Sequence, residues 1–90
     1  MPLSEFTFTV SNEGLKNCYD IIDEMIREFG VSREEAVLRL NNHWGTMDIQ
    51  DEAFGYLLSV EFAQMIYYGP NTRWWKKDKS DLAPRPLRKE

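Results

Sequence analysis

Two amphipathic segments that follow each other almost without a break constrain this chain more than any other feature of its sequence. The apolar side chains of the first segment fall within about 100° of arc on a helical wheel: Leu15, Cys18, Tyr19, Ile22, Ile26 and Phe29. Asn12 is a suitable N-cap, and Gly30 supplies the left-handed residue that ends a helix. The pattern predicts a helix that begins after Asn12 and ends at Gly30, with one buried face.

A second helix is predicted to start immediately after the first. Ser32 and Glu35 have the spacing of a capping box, in which each side chain bonds the backbone N–H of the other position. The apolar residues that follow share one side of this helix: Ala36, Val37, Leu40 and Trp44. Because the connection around Gly30 is so short, we expect the two helices to pack as an antiparallel hairpin.

The N-terminal residues alternate in the manner of a strand. Phe6, Phe8 and Val10 would lie on one face, with two threonines on the other. A lone strand needs a partner, and the only other β-favouring stretch lies near residues 72–76. That stretch is therefore the candidate partner, which would bring the two ends of the chain together.

The rest of the chain predicts one more helix and a tail. Residues 46–58 are interpreted as a loop with a buried side and one turn. A third helix is expected from Ser59 to about Tyr68. The predicted fold class is mainly α with a small β contribution: a compact three-helix domain over residues 1–81, followed by an extended tail over residues 82–90 that contains two prolines.

Length and cysteine content predict one domain in the cytoplasm. Ninety residues are enough for a single core. Cys18 is the one cysteine, whereas small secreted domains usually contain several disulfides. The sequence contains neither an apolar run long enough to span a membrane nor a signal-peptide pattern.

No pattern in the sequence is typical of a metal site, a cofactor site or an enzyme. One histidine and one cysteine are too few for zinc, and the acidic residues 48–52 lack the spacing of a calcium loop. We therefore expect no metal and no cofactor. His43 is interpreted as a cation or cap at a helix C-terminus, and the alternative is a proton carrier beside Asp48.

Glu61 has two interpretations that depend on where the third helix begins. If the helix begins at Ser59, Glu61 is an ordinary acidic residue of the first turn. If it begins near Asp51, Glu61 falls on the apolar face and needs a charged partner or a function. We favour the first interpretation because Gly55 disfavours the longer helix.

The charge of the chain is divided by position. Residues 1–63 contain 12 Asp or Glu and 4 Lys or Arg, whereas residues 64–90 contain 3 and 7. The basic part includes aromatic and cationic residues of the types that dominate binding energy at interfaces: Tyr67, Tyr68, Arg73, Trp74, Trp75, Lys76 and Lys77. In an extended segment the two tryptophans would point to opposite sides, so we expect one to be buried and the other exposed.

Three functions are compatible with this sequence. The favoured hypothesis is a small acidic, non-enzymatic module that binds another protein, as an adaptor, an inhibitor or an immunity-type protein; the analogy with bacterial immunity proteins is one of size and acidity. The second is single-stranded nucleic-acid binding through the basic aromatic residues. The third is an accessory subunit or enzyme that uses Glu61 and His43. The basic aromatic segment also has a purely structural alternative, closure of the core.

Overall fold

The computed structural model describes residues 5–55, 57–70, 72–76 and 82–87. It contains three helices, α1 (Asn12–Phe29), α2 (Arg33–Trp44) and α3 (Ser59–Tyr68), and a short 3-10 turn, Asp51–Phe54, between α2 and α3. The predicted fold class, mainly α with three helices, is confirmed. Lys77 and the predicted domain boundary at Asp81 lie outside the described residues.

Side-chain caps fix the beginnings of α1 and α2. The N-cap of α1 is Ser11, one residue earlier than predicted, and its Oγ accepts a hydrogen bond from the Gly14 N–H at 3.0 Å. The N-cap of α2 is Ser32, as predicted, with its Oγ accepting from the Glu35 N–H at 3.0 Å. Between them, Gly30 adopts φ 69° and donates its N–H to the carbonyl of Ile26 at 2.8 Å, which ends α1.

The start of α3 resolves the two interpretations of Glu61. The helix begins at Ser59 with Leu58 as its N-cap, and the Glu61 carboxylate accepts a hydrogen bond from the Leu58 N–H at 2.8 Å. Glu61 is thus an acidic residue of the first turn that satisfies a backbone donor left free at the helix terminus.

The core lies where the three helices meet. Its most fully buried side chains are mainly aliphatic: Cys18, Ile21, Ile22, Met25, Leu40 and Ile66. The buried face of α1 differs from the predicted one, because Ile21 and Met25 lie inside it while Tyr19 is exposed. The reason is that α1 packs against both α2 and α3, so it must bury a broader face than a two-helix hairpin requires.

The N-terminal segment packs its phenylalanines onto the end of α2. Phe6 and Phe8 are buried, and the Phe8 ring lies edge-on to Trp44 with 5.0 Å between centroids. The segment is tied to α2 by a bidentate ion pair between Glu5 and Arg33, with both N–O distances 2.7 Å. Hydrogen bonding to Arg33 lowers the pKa of the Glu5 carboxyl.

The predicted strand and its pairing with residues 72–76 are not confirmed. Thr9 instead forms an isolated parallel bridge with Asp48: its N–H donates to the Met47 carbonyl at 2.9 Å, and its carbonyl accepts from the Ile49 N–H at 2.8 Å. Because Phe8 is buried against Trp44, this segment runs beside the chain that leaves α2. The backbone N–H and carbonyl of Thr9 are thereby paired with residues 47 and 49, and not with residues 72–76.

None of the helices in the described ranges combines the length and the apolar composition needed to cross a membrane.

Candidate functional site

The predicted contact residues lie at the end of α3 and in the chain that follows it. Gly69 ends the helix at φ 108° and donates its N–H to the Met65 carbonyl at 2.7 Å. Thr72 then donates both its N–H and its hydroxyl to the Gly69 carbonyl. A further hydrogen bond, from the Lys76 N–H to the Arg73 carbonyl at 3.1 Å, closes a turn over residues 73–76, here named the tryptophan turn.

The tryptophan turn divides its two indole rings between the core and the surface. Trp74 is half-buried and packs against the core, whereas 62% of Trp75 is exposed. The rings stand edge to face with 5.7 Å between centroids and an interplanar angle of 87°. The expected division is therefore present, with Trp75 as the exposed ring. Its cause differs from the predicted one, because the rings are oriented by a hydrogen-bonded turn and not by the alternation of side chains along an extended strand.

The two tyrosines belong to a separate aromatic cluster. The Tyr67 ring is stacked on Phe29 with 3.8 Å between centroids and an interplanar angle of 5°. Tyr68 meets the same phenylalanine edge-on at 5.5 Å, and burial raises the pKa of its hydroxyl. Both tyrosines are half-buried. Among the predicted contact residues that the structure describes, Arg73 and Trp75 are thus the two most open to solvent.

Arg39 is a buried charged residue near the predicted contact residues, and the sequence pattern alone does not single it out. Only 8% of it is exposed, and its Nε and Nη2 both donate to one oxygen of Glu35, at 2.9 and 2.8 Å. Its guanidinium carbon lies 4.7 Å from the centroid of the Tyr67 ring. A signal was present in the sequence, since Glu35 and Arg39 are four residues apart and Leu40 follows on the buried side.

The described part of the predicted tail, residues 82–87, is hydrogen-bonded to the helices through Arg85. The Arg85 N–H donates to the Tyr67 carbonyl at 2.8 Å. The Arg85 carbonyl accepts from Arg39 Nη1, also at 2.8 Å. Arg85 therefore anchors this part of the tail to α2 and α3.

His43 lies in the last turn of α2, as its interpretation as a helix-terminal cation or cap requires, but burial disfavours the cationic form. Burial, and secondarily the charge of Arg85, lower the pKa of its imidazole to about 4. Its ring lies edge-on to Trp44 at 5.2 Å. Its Nδ1 is buried, and no group in the described part of the chain forms a hydrogen bond with it.

The described residues offer no obvious reactive centre. Within these ranges, no group of three or more His, Cys, Asp or Glu side chains is arranged to hold a metal ion. Burial raises the pKa of the Cys18 thiol to about 12, so the thiol is protonated at neutral pH.

Comparison of this chain with protein-family models, with curated proteins and with solved structures found no significant match.

Proposed function

We propose that this chain is a small non-enzymatic protein-binding module, acting as an adaptor or inhibitor, and that Trp75 is the anchor of its contact surface. The observation that carries the proposal is the 62% exposure of Trp75 in a hydrogen-bonded turn. An indole left in water gives up about 2 kcal/mol or more of burial free energy. A partner that covers the ring recovers this free energy, and tryptophan is among the residues most enriched at the energetic centres of interfaces.

The Trp75 ring is held in position by its contact with Trp74. Trp74 packs against the core and meets Trp75 edge-on, so the exposed ring stands on a fixed neighbour. Ordering a side chain on binding costs about 0.5–1.5 kcal/mol when it is free to rotate, and a supported ring loses less. Arg73 is exposed in the same turn and gives the surface a positive charge that favours an acidic partner.

Single-stranded nucleic-acid binding is the weaker alternative. Such sites stack successive bases on exposed aromatic faces. Of the four candidate aromatic residues, all of which the structure describes, Tyr67 is stacked on Phe29, Tyr68 is half-buried and Trp74 packs against the core. One exposed ring provides a single stacking platform, which suits an anchor in a protein interface better than a track for bases.

An enzymatic role for Glu61 and His43 receives less support still. The Glu61 carboxylate accepts the Leu58 N–H at the start of α3, which gives it a structural role. His43 is packed against Trp44 and is neutral. We therefore do not assign either residue to catalysis.

The proposed compartment is the cytoplasm. It rests on Cys18, a lone and fully buried cysteine, which has no cysteine partner within the chain. Small domains in oxidising compartments usually depend on disulfides.

The test compares capture of partners from native extract by the wild type, Trp75→Ala and Leu58→Ala. Leu58 is the matched control, because 67% of it is exposed and it lies at the opposite end of α3. We expect Trp75→Ala to weaken the captured complex at least about tenfold while Leu58→Ala retains it. A protein partner should remain bound at moderate salt, whereas steep loss with salt would indicate nucleic acid. Equal capture by all three chains would contradict the proposal.

Stability should separate the two tryptophans. Trp74→Ala removes a ring that packs against the core, so we expect the free energy of unfolding to fall by about 2–4 kcal/mol. Trp75→Ala removes a ring that is mostly in water and should change stability by less than about 0.5 kcal/mol. Urea unfolding measures both values. Similar losses in the two variants would mean that the whole turn belongs to the core.

A further inference from the structure

Arg85, within residues 82–87, lies in a groove formed by Arg39 of α2, Tyr67 of α3 and Gly69, and two hydrogen bonds hold it there. The Arg85 N–H donates to the Tyr67 carbonyl, and the Arg85 carbonyl accepts from Arg39 Nη1. Both bonds use main-chain atoms of the tail. The groove therefore recognises an extended backbone, which is the mode by which many domains bind peptides.

The groove is ordered by contacts that do not involve the tail. Glu35 holds two other nitrogens of the Arg39 guanidinium, which leaves Nη1 directed at the tail carbonyl. The Tyr67 ring is fixed by its stacking on Phe29. Gly69 forms part of the wall beside the tail, since a Cβ placed on it would be in van der Waals contact with Cδ of Arg85 at 3.8 Å. Preorganised groups of this kind lose little entropy when a peptide docks.

The tail is suited to dock in the same way whichever chain it belongs to. Pro84 and Pro86 flank Arg85 and restrict the backbone before docking, so less entropy is lost. Residues 82–90 contain 3 Lys or Arg and 1 Glu, whereas residues 1–63 contain 4 Lys or Arg and 12 Asp or Glu. The basic tail is therefore attracted to the acidic body of its own chain and to that of a neighbouring one.

We propose that this groove is a docking site for the tail of a second copy of the chain, and that a chain on its own fills the groove with its own tail. The two arrangements contain the same tail contacts, so exchange between copies gives up no hydrogen bond. The tethered tail has an effective concentration on the order of millimolar, which keeps the dilute wild type closed. The site is distinct from Trp75, so this inference stands independently of the proposed protein-binding function.

The test mixes two full-length variants that each lack a different half of the contact. Arg85→Pro removes the N–H that Tyr67 accepts but leaves the groove intact. Arg39→Met removes the donor to the tail carbonyl but leaves the tail intact. In an equimolar mixture, the intact tail of the second variant fits the intact groove of the first. Analytical ultracentrifugation at about 100 μM of each, below the millimolar effective concentration of a tethered tail, measures the heterodimer.

Matched controls keep both halves of the contact. Arg85→Ala retains the backbone N–H, and Arg33→Ala removes an exposed arginine of α2 that pairs with Glu5. Loss of one hydrogen bond should weaken the docking of a tail in its own chain roughly tenfold. We therefore expect about ten times more heterodimer in the test mixture than in the control mixture. Adding Trp75→Ala to both test variants should leave the heterodimer unchanged. Equal amounts in the two mixtures, or dependence on Trp75, would overturn the proposal.

A second measurement applies if Arg39→Met does not fold, as judged by circular dichroism. A synthetic peptide of residues 82–90 then serves as the tail donor. Because the tail of the Arg85→Pro chain binds its own groove more weakly, this chain should bind the peptide about tenfold more tightly than the Arg85→Ala chain does. Equal affinity for the two chains, or no binding by either, would overturn the proposal.

Discussion

At the scale of single residues, one glycine shows how a packing contact can oppose helix propensity. Gly14 lies in the first turn of α1, where alanine would ordinarily favour the helix by about 1 kcal/mol. A Cβ at this position would lie 3.0 Å from Cβ of Val10 and 3.1 Å from Cε2 of Phe54. The Val10 Cβ is attached directly to the backbone, and the Phe54 ring is buried, so neither can move aside freely.

We therefore predict that Gly14→Ala lowers the free energy of unfolding by about 1–2 kcal/mol, since overpacking exceeds the gain in propensity. Gly55→Ala is the control. The nearest atom to its added Cβ would be the Glu52 carbonyl oxygen at 3.5 Å, and its φ of −89° suits any residue. The control should change stability by less than about 0.5 kcal/mol. Urea denaturation compares the two, and a stabilised Gly14→Ala would show that the contact around this glycine can relax.

His43 makes stability depend on pH in a defined window. Its pKa is about 4 in the folded chain against an ordinary 6.5, so the unfolded state binds more protons between these values. The free energy of unfolding should therefore decrease as the pH falls from about 6.5 to 4, by up to roughly 3 kcal/mol. Well above pH 6.5 the imidazole is neutral in both states, and this dependence is absent.

His43→Gln should flatten the pH dependence in that window. The difference between wild type and variant isolates the histidine, because carboxyl groups that titrate at low pH, including Glu5 beside Arg33, are present in both. Urea midpoints at pH 7 and pH 5 provide the measurement. Parallel losses of stability in the two chains would mean that the imidazole is not buried as described.

At the scale of elements, local signals account for what the sequence predicts and long-range contacts account for what it does not. Ser32 and Gly30 act within a few residues of themselves, and the helix boundaries they predict are confirmed. The partner of Thr9 and the burial of Arg39 depend on segments distant along the chain. Periodicity identifies an apolar face but not how many neighbours cover it, which is why the buried face of α1 proved broader than predicted.

The packing of α1 on α2 supplies a prediction at this scale. Ile22 and Leu40 are 1% and 0% exposed, so replacing either with alanine removes most of a buried side chain and leaves a cavity. We expect each variant to lose about 2–5 kcal/mol of the roughly 5–10 available to a domain of this size. Leu58→Ala, at an exposed leucine, is the control for the chemical change alone. Thermal unfolding provides the measurement. If the melting temperatures of the core variants lay within a degree or two of that of the control, this face assignment would be contradicted.

At the scale of the whole molecule, the sequence predicts the division of charge but not how the two parts meet. The basic C-terminal part contributes a half-buried indole through Trp74 and an extended segment that lies on α2 and α3. Composition alone favours a solvated tail, because residues 82–90 contain two prolines, three basic residues and few apolar ones. The contacts of Arg85 use its backbone, and composition carries no information about backbone hydrogen bonds.

Truncation measures how far the tail belongs to the domain. Without residues 82–90, Arg39 Nη1 and the Tyr67 carbonyl each lose a partner within the chain, although water can reach both groups once the tail is gone. We therefore predict a loss of about 1–3 kcal/mol in the free energy of unfolding, with cooperative unfolding retained because the helical core is intact.

A chain that ends at Leu87 is the control, since it keeps the residues that contact the helices. Circular dichroism during urea unfolding compares the two. A chain ending at residue 81 that is as stable as the control would show that the tail contacts contribute nothing to the fold, whereas loss of cooperative unfolding would mean that the helices depend on the tail to pack.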